Sequence, residues 1–155
     1  DALTTHTGRH KQYDDADHFA DCPALVPSAA DWMVEKGVKV VGHDTQANDH
    51  PLATAIGPQR NGPILPHLEA EYLEWSGGTP WEVDFPEWVP VHQTLFKNGI
   101  LGIENVGGDL DRVTGKRVTF AFFPWNWDRG DGCIIRLVAM MDKDQAYRIE
   151  AGADF

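Results

Sequence analysis

The sequence predicts a mixed α/β domain, a mixed or barrel-like β-sheet with flanking helices, and three observations carry that prediction. Residues 27–42 pass from a proline-started, glycine-stopped helical pattern straight into a β-branched run. Residues 91–106 repeat the sequence of helix, glycine and apolar strand. Two more β-branched or aromatic runs, 117–124 and 133–141, close the chain. Short strands alternating with helical segments, with no internal repeat, are the pattern of an α/β or α+β domain.

In order, Ala2 to Thr7 is a threonine-rich strand running into Gly8, and Tyr13 to Ala20 is polar enough for a surface loop. Pro27 to Gly37 is a helix: Pro at the start, Ala30, Met33 and Val34 at three- and four-residue spacing, and Gly37 as its stop. Val38 to Gly42 is a buried strand that opens into the polar loop His43 to Pro51, at the strand end where α/β folds tend to place chemistry. Leu52 to Arg60 has the pattern of a short helix closed by Gly57 and Pro58. The proline-rich residues 61–90 form a long connection with a brief helix from Glu69 to Trp75, long enough to be functional or to cover a partner surface. Val91 to Gly99 is a compact helix, Ile100 to Val106 a strand, and Trp125 to Gly132 a turn between the last two strands.

Composition bounds the function. A chain of 155 residues can hide about 70% of its unfolded surface, enough for one core, so a single domain over 1–155 is expected. Thirteen Lys and Arg against twenty-four Asp and Glu give a net charge of −11, which opposes binding to a nucleic-acid polyanion. The apolar runs fall far short of the roughly twenty residues that span a bilayer. No membrane association is expected, and with no signal peptide recognisable a cytoplasmic location is. Cys22 and Cys133 are too few and too far apart for a disulfide framework or zinc ribbon and are expected to behave as small hydrophobes. The chain starts at Asp1 and enters a strand at once, so it is expected to be the C-terminal share of a longer polypeptide.

No GxSxG elbow, phosphate loop, dinucleotide fingerprint or HExxH helix occurs. The pair of greatest interest is His92, at the start of a helix, and Glu104, twelve residues on in the strand that returns from it. A helix of about seven residues rises roughly 10 Å and three or four strand residues retrace it, so the two side chains can meet at one end of the unit. Imidazole and carboxylate suit zinc or manganese. Alternatively, His92 pairs on the helix surface and Glu104 is solvated. Against that, the carboxylate sits in an apolar strand, where burying an unpaired charge costs several kcal/mol.

His43, Asp44, Asp49 and His50 form a second cluster whose spacing superficially suits a metal loop. Turns also use such residues to satisfy their own backbone, and Asp44, Asp49 and His50 are expected to brace the loop or support the site from behind. His6, His10, His18 and His67 lie in polar surroundings and are expected at the surface. Phe123, Trp125 and Trp127 could line a substrate pocket, or serve as core and interface aromatics.

Several segments in order resemble the cyclase family of metal-dependent hydrolases, which includes bacterial kynurenine formamidase and isatin hydrolase. They are Thr5-His-Thr-Gly8, Leu25 to Gly37, Val40-Val-Gly-His-Asp-Thr45 with Asp49, His92 to Asn105, and the closing Phe123-Pro124, Gly130-Asp-Gly132, Arg136 and Val138-Ala139. The resemblance covers most of residues 3–142 and is most specific from His92 to Glu104. It implies the family fold, His92 and Glu104 as ligands of Zn²⁺ or Mn²⁺, a small-molecule substrate with an amide, formamide or lactone bond, and a homo-oligomer. The family's other ligands and its catalytic histidine come from a motif of the form HxGTHxDxPxH. This chain lacks it, and His6-Thr-Gly-Arg-His10 echoes only its first residues. The catalytic base therefore stays unassigned, and a complementary N-terminal segment or partner chain is expected to complete the site. The rival expectations are a non-catalytic binding or assembly module on a degenerate cyclase fold, and an unrelated acidic interaction domain in which His92 and Glu104 lie more than about 8 Å apart.

Overall fold

The run Val40–His43 becomes the central strand, β2, of a three-stranded parallel sheet in a computed structural model that describes residues 1–141. The end of the expected domain, 142–155, lies outside the described residues. The chain divides into two units, Asp1–Gly108 and Asp109–Phe155. In the first, β1 (Ala2–Thr5) and β3 (Leu101–Ile103) flank β2. The register sets Leu3 beside Val41, Val41 beside Gly102, and Thr5 beside His43. Side chains alternate across a strand, so Leu3 and Val41 share the face that carries the core.

That core is Ala30, Met33, Val38, Val41, Val91, Leu95 and Ile100, with Leu3, Leu25 and Val34 packed against it. Helix α1 (Pro27–Glu35) supplies Ala30 and Met33, and α4 (Pro90–Lys97) supplies Val91 and Leu95. Both helices enter their next strand by one device. After α1, Gly37 takes φ 68, its N–H bonds to Val34 O, and Val38 N–H bonds to Met33 O. After α4, Gly99 takes φ 69, its N–H bonds to Phe96 O, and Ile100 N–H bonds to Leu95 O. The left-handed glycine closes the helix, and the apolar residue after it packs on the helix's last turn. This is why helix, glycine and apolar run occur twice in the sequence. Leu95 is fully buried. Leu95→Ala should cost about 3 kcal/mol, read as a lower denaturant midpoint; a loss under about 1 kcal/mol would show that the cluster is not the core.

Strand bounds are shorter than the sequence pattern, because Val38 closes the helix motif before β2 begins. The expected helix from Leu52 to Arg60 is not formed. Only a 3-10 turn, Pro51–Ala53, is present. The chain then folds back so that Gly57 N–H bonds to Pro51 O at 3.0 Å, and a Cβ on Gly57 would lie 2.7 Å from that oxygen. A glycine demanded by close backbone approach outweighs the helical spacing. The connection 61–90 holds α2 (Leu68–Trp75), as expected, and also a single turn, α3 (Trp81–Asp84).

In the second unit, β4 (Thr119–Phe122) pairs antiparallel with β5 (Leu137–Met140), Thr119 opposite Met140. Parallel and antiparallel pairing thus fall in separate sheets, within the α/β class the pattern predicts. No helix among the described residues is long and apolar enough to cross a membrane.

Candidate metal centre

The parallel register brings three strand ends together, so His6-Thr7-Gly8, Asp44 and Glu104-Asn105 leave the first unit's sheet at one edge. Asp44 is fully buried. Its Oδ1 accepts Thr7 N–H at 2.8 Å and Thr7 O–H at 2.9 Å, its Oδ2 accepts Gly8 N–H at 2.8 Å, and His10 Nδ1 lies 3.2 Å from Oδ2. Burial disfavours the charge, but these donors overcome it and hold the carboxyl well below the usual carboxylate range. Asp44 is a brace that ties the β1 end to the β2 loop.

Asp49 performs the same task for α4. Val89 precedes the helix with φ 39 and offers no side-chain cap. Asp49 instead reaches in from 42 residues away, Oδ1 accepting Val91 N–H and Oδ2 accepting His92 N–H, both at 2.9 Å. A carboxylate at a helix N-terminus satisfies orphan donors and complements the dipole. The same Oδ2 lies 2.6 Å from His92 Nδ1, which fixes the ring and turns Nε2 toward Glu104 Oε1 at 3.0 Å. The two residues paired by helix and strand arithmetic therefore meet.

Glu104 is held from its other side. Asn48 donates its backbone N–H and its side-chain Nδ2–H to Glu104 Oε1, each at 3.0 Å. Burial tends to raise the Glu104 pKa, but the His92 and Asn48 donors lower it on balance. Burial likewise tends to lower that of His92, yet bonds to Asp49 and Glu104 push it up to about 9. In metal-free protein His92 is then an imidazolium between two carboxylates. A folded pKa above the unfolded value of about 6.5 adds stability that is complete below pH 6.5 and lost as pH rises toward 9. With screening of this partly exposed pair the effect should be about 1–2 kcal/mol. Urea midpoints of chelator-treated protein should fall over that window; a flat profile would deny the pairing.

Residues 1–50 match the family model described as "Putative cyclase". That match takes in β1, α1, β2 and the loop with Asp44, Asn48 and Asp49, and ends before His92 and Glu104. Neither the curated proteins nor the solved structures gave a match. The cyclase match therefore rests on the bracing half of the site, and the donor pair rests on its geometry.

His50 stacks on Phe85 with ring centroids 4.4 Å apart, and its Nδ1 accepts Leu52 N–H at 3.2 Å. Burial lowers its pKa. His50 thus fastens the 61–90 connection beside the loop. His18 corrects the expectation of a surface histidine. It is 1% exposed, its Nε2 lies 2.9 Å from Asn105 Oδ1, and its ring meets those of Tyr13 and Phe19. Its acidic neighbours in sequence concealed a partner 87 residues away. The His10 side chain is also mostly enclosed, at 6% exposure, whereas His67 is exposed as expected. Cys22 is buried and Cys133 intermediate. Phe123, Trp125 and Trp127 lie in the second unit, all exposed, with Trp125 and Trp127 meeting edge to face at 5.4 Å. Asn48 had no motif to announce it.

Proposed function

We propose that the chain is a subunit or segment of a metal-dependent hydrolase that cleaves an amide, formamide or lactone bond with a metal-activated water. The observation that carries this reading is the line Asp49, His92, Glu104, with Nδ1 on Asp49 Oδ2 at 2.6 Å and Nε2 3.0 Å from Glu104 Oε1. A carboxylate behind a histidine is the usual support of a metal-binding imidazole. The donor set fits Zn²⁺ or Mn²⁺, since an imidazole nitrogen and a carboxylate oxygen this close can both reach one cation at bond lengths of about 2.0–2.2 Å.

Bound there, the metal would lower the pKa of a water to about 7 and polarise the substrate carbonyl. Asp49 keeps Nδ1 protonated, so the proton His92 gives up on metal uptake is the one on Nε2. Asn48 holds Glu104 Oε1 against rotation away. Catalytic zinc usually has three protein ligands, and His92 with Glu104 supplies two. The third ligand and the proton-transferring base are assigned to a complementary N-terminal segment or partner chain, the latter including another copy in a homo-oligomer.

A second reading, a non-catalytic binding or assembly module, is favoured by one observation. His92 lies 2.6 Å from Asp49 Oδ2 and 3.0 Å from Glu104 Oε1, so each carboxylate has a hydrogen-bonding partner within the chain itself. Elemental analysis of purified, dialysed protein separates the two: about one or two equivalents of metal supports the hydrolase, and none after exposure to Zn²⁺ and Mn²⁺ supports the module.

A further inference from the structure

Behind the donor pair lies a buried polar chain that a metal site of two ligands does not by itself require. Asn48 is fully buried and His43 is 2% exposed. His43 Nε2 lies 3.0 Å from Asn48 Oδ1, and Thr45 Oγ1 lies 2.7 Å from His43 Nδ1. Asn48 Nδ2 reaches Glu104 Oε1 at 3.0 Å and lies 3.4 Å from His92 Nε2. Each contact fixes the sense of the next. Because Nδ2 must donate to a carboxylate, Oδ1 faces His43 and accepts from Nε2–H. A neutral ring then leaves Nδ1 bare to accept Thr45 O–H, at 2.7 Å the nearer of that hydroxyl's two acceptors, the other being Ala47 O at 3.2 Å. The amide also rests on β3, where a Cβ on Gly102 would lie 2.9 Å from Nδ2 and 3.6 Å from the Phe96 ring. Gly102 is thus the floor on which the amide sits.

We propose that Asn48 is the positioning residue of this site, with His43 acting on Glu104 and His92 only through the Asn48 amide and Gly102 leaving room for it. The proposal rests on the hydrolase reading for its consequence, metal affinity, but not for its geometry. Buried polar groups are costly unless fully satisfied. Here the satisfied chain selects one amide orientation and one imidazole tautomer, and so one placement of the Glu104 oxygen. Loss of an outer partner typically weakens metal binding about 10- to 100-fold.

The test has one arm without metal and one with it. In chelator-treated, ¹⁵N-histidine-labelled protein, His43 should show a protonated Nε2 and a bare Nδ1; the opposite tautomer would overturn the amide orientation and the proposal. In the second arm, Zn²⁺ dissociation constants are measured by chelator competition beside melting curves of the metal-free forms. Asn48→Leu and His43→Leu should each weaken Zn²⁺ about 10-fold or more. Gly102→Ala, which displaces the amide without removing it, should do likewise. His43→Gln, which can return an N–H near the Nε2 position, should recover most of the loss relative to His43→Leu. Wild-type affinity in His43→Leu and Gly102→Ala, or equal weakening in His43→Gln and His43→Leu that follows melting temperature alone, would overturn it. If wild-type protein takes up no Zn²⁺, the hydrolase reading fails, and the tautomer arm still decides whether the Asn48 amide is held as proposed.

Discussion

On the proposed hydrolase reading, Glu104→Gln should strip the protein of most of its metal while leaving its fold intact. The substitution keeps an oxygen able to accept both Asn48 bonds, now 3.0 Å each, and removes only the charge. Stability should therefore change by no more than about 1 kcal/mol. Metal affinity should fall about 100-fold or more, at least the upper end of what loss of an outer-shell partner costs, and hydrolysis by the assembled protein should fall with it. Elemental analysis of dialysed variant and wild type, read beside their melting curves, checks both halves. Full metal content with full turnover in the variant would end the assignment of Glu104 as a ligand. Metal loss together with collapse of the melting transition would instead assign Glu104 to holding the fold.

What made that pair readable in the sequence was a short local path. Twelve residues, one helix and one glycine turn separate His92 from Glu104, so rise per residue alone returns one to the other. The same locality made α1, β2 and α4 readable, because each helix stop is a glycine whose following residue belongs to the core. Asp44 and Asp49 could be expected to brace something, since aspartates in a polar loop usually do. What they brace could not be foreseen, because Thr7 and His92 are 37 and 43 residues distant. Asn48 and His18 were hidden for the same reason. A buried asparagine or histidine is recognised by its partners, and theirs, Glu104 and Asn105, arrive from β3 only once the parallel register is set. Leu52 to Arg60 failed in the opposite sense. Its spacing was helical, but Gly57 answers to a carbonyl of the preceding turn.

The brace at Asp44 gives the largest stability effect expected of a single side chain. Asp44→Ala leaves Thr7 N–H and Gly8 N–H beside an empty, buried position, together with a hydroxyl and His10 Nδ1 that had faced the carboxylate. Asp44 is buried, whereas Thr7 is exposed and Gly8 and His10 are half-buried. A stranded donor costs about 1–3 kcal/mol, less what water entry restores, so with four donors each near the low end a loss of about 3–5 kcal/mol is expected. For a domain of this size that is a fall in melting temperature of about 10 °C or more. The pH dependence has a definite sign. The folded carboxyl is depressed below the unfolded value of about 3.9, so its contribution is complete above that value and lost as pH falls through the folded one. Wild type should lose stability on acidification below about pH 4, and Asp44→Ala should lose less over the same range because part of the effect is already gone. Asp14→Ala, at an exposed position in the following loop, should change stability by under about 0.5 kcal/mol. Urea titrations of the three proteins between pH 3 and 7 decide the matter. Parallel acid limbs in wild type and Asp44→Ala would show that the carboxylate is not what ties the end of β1 to the loop after β2.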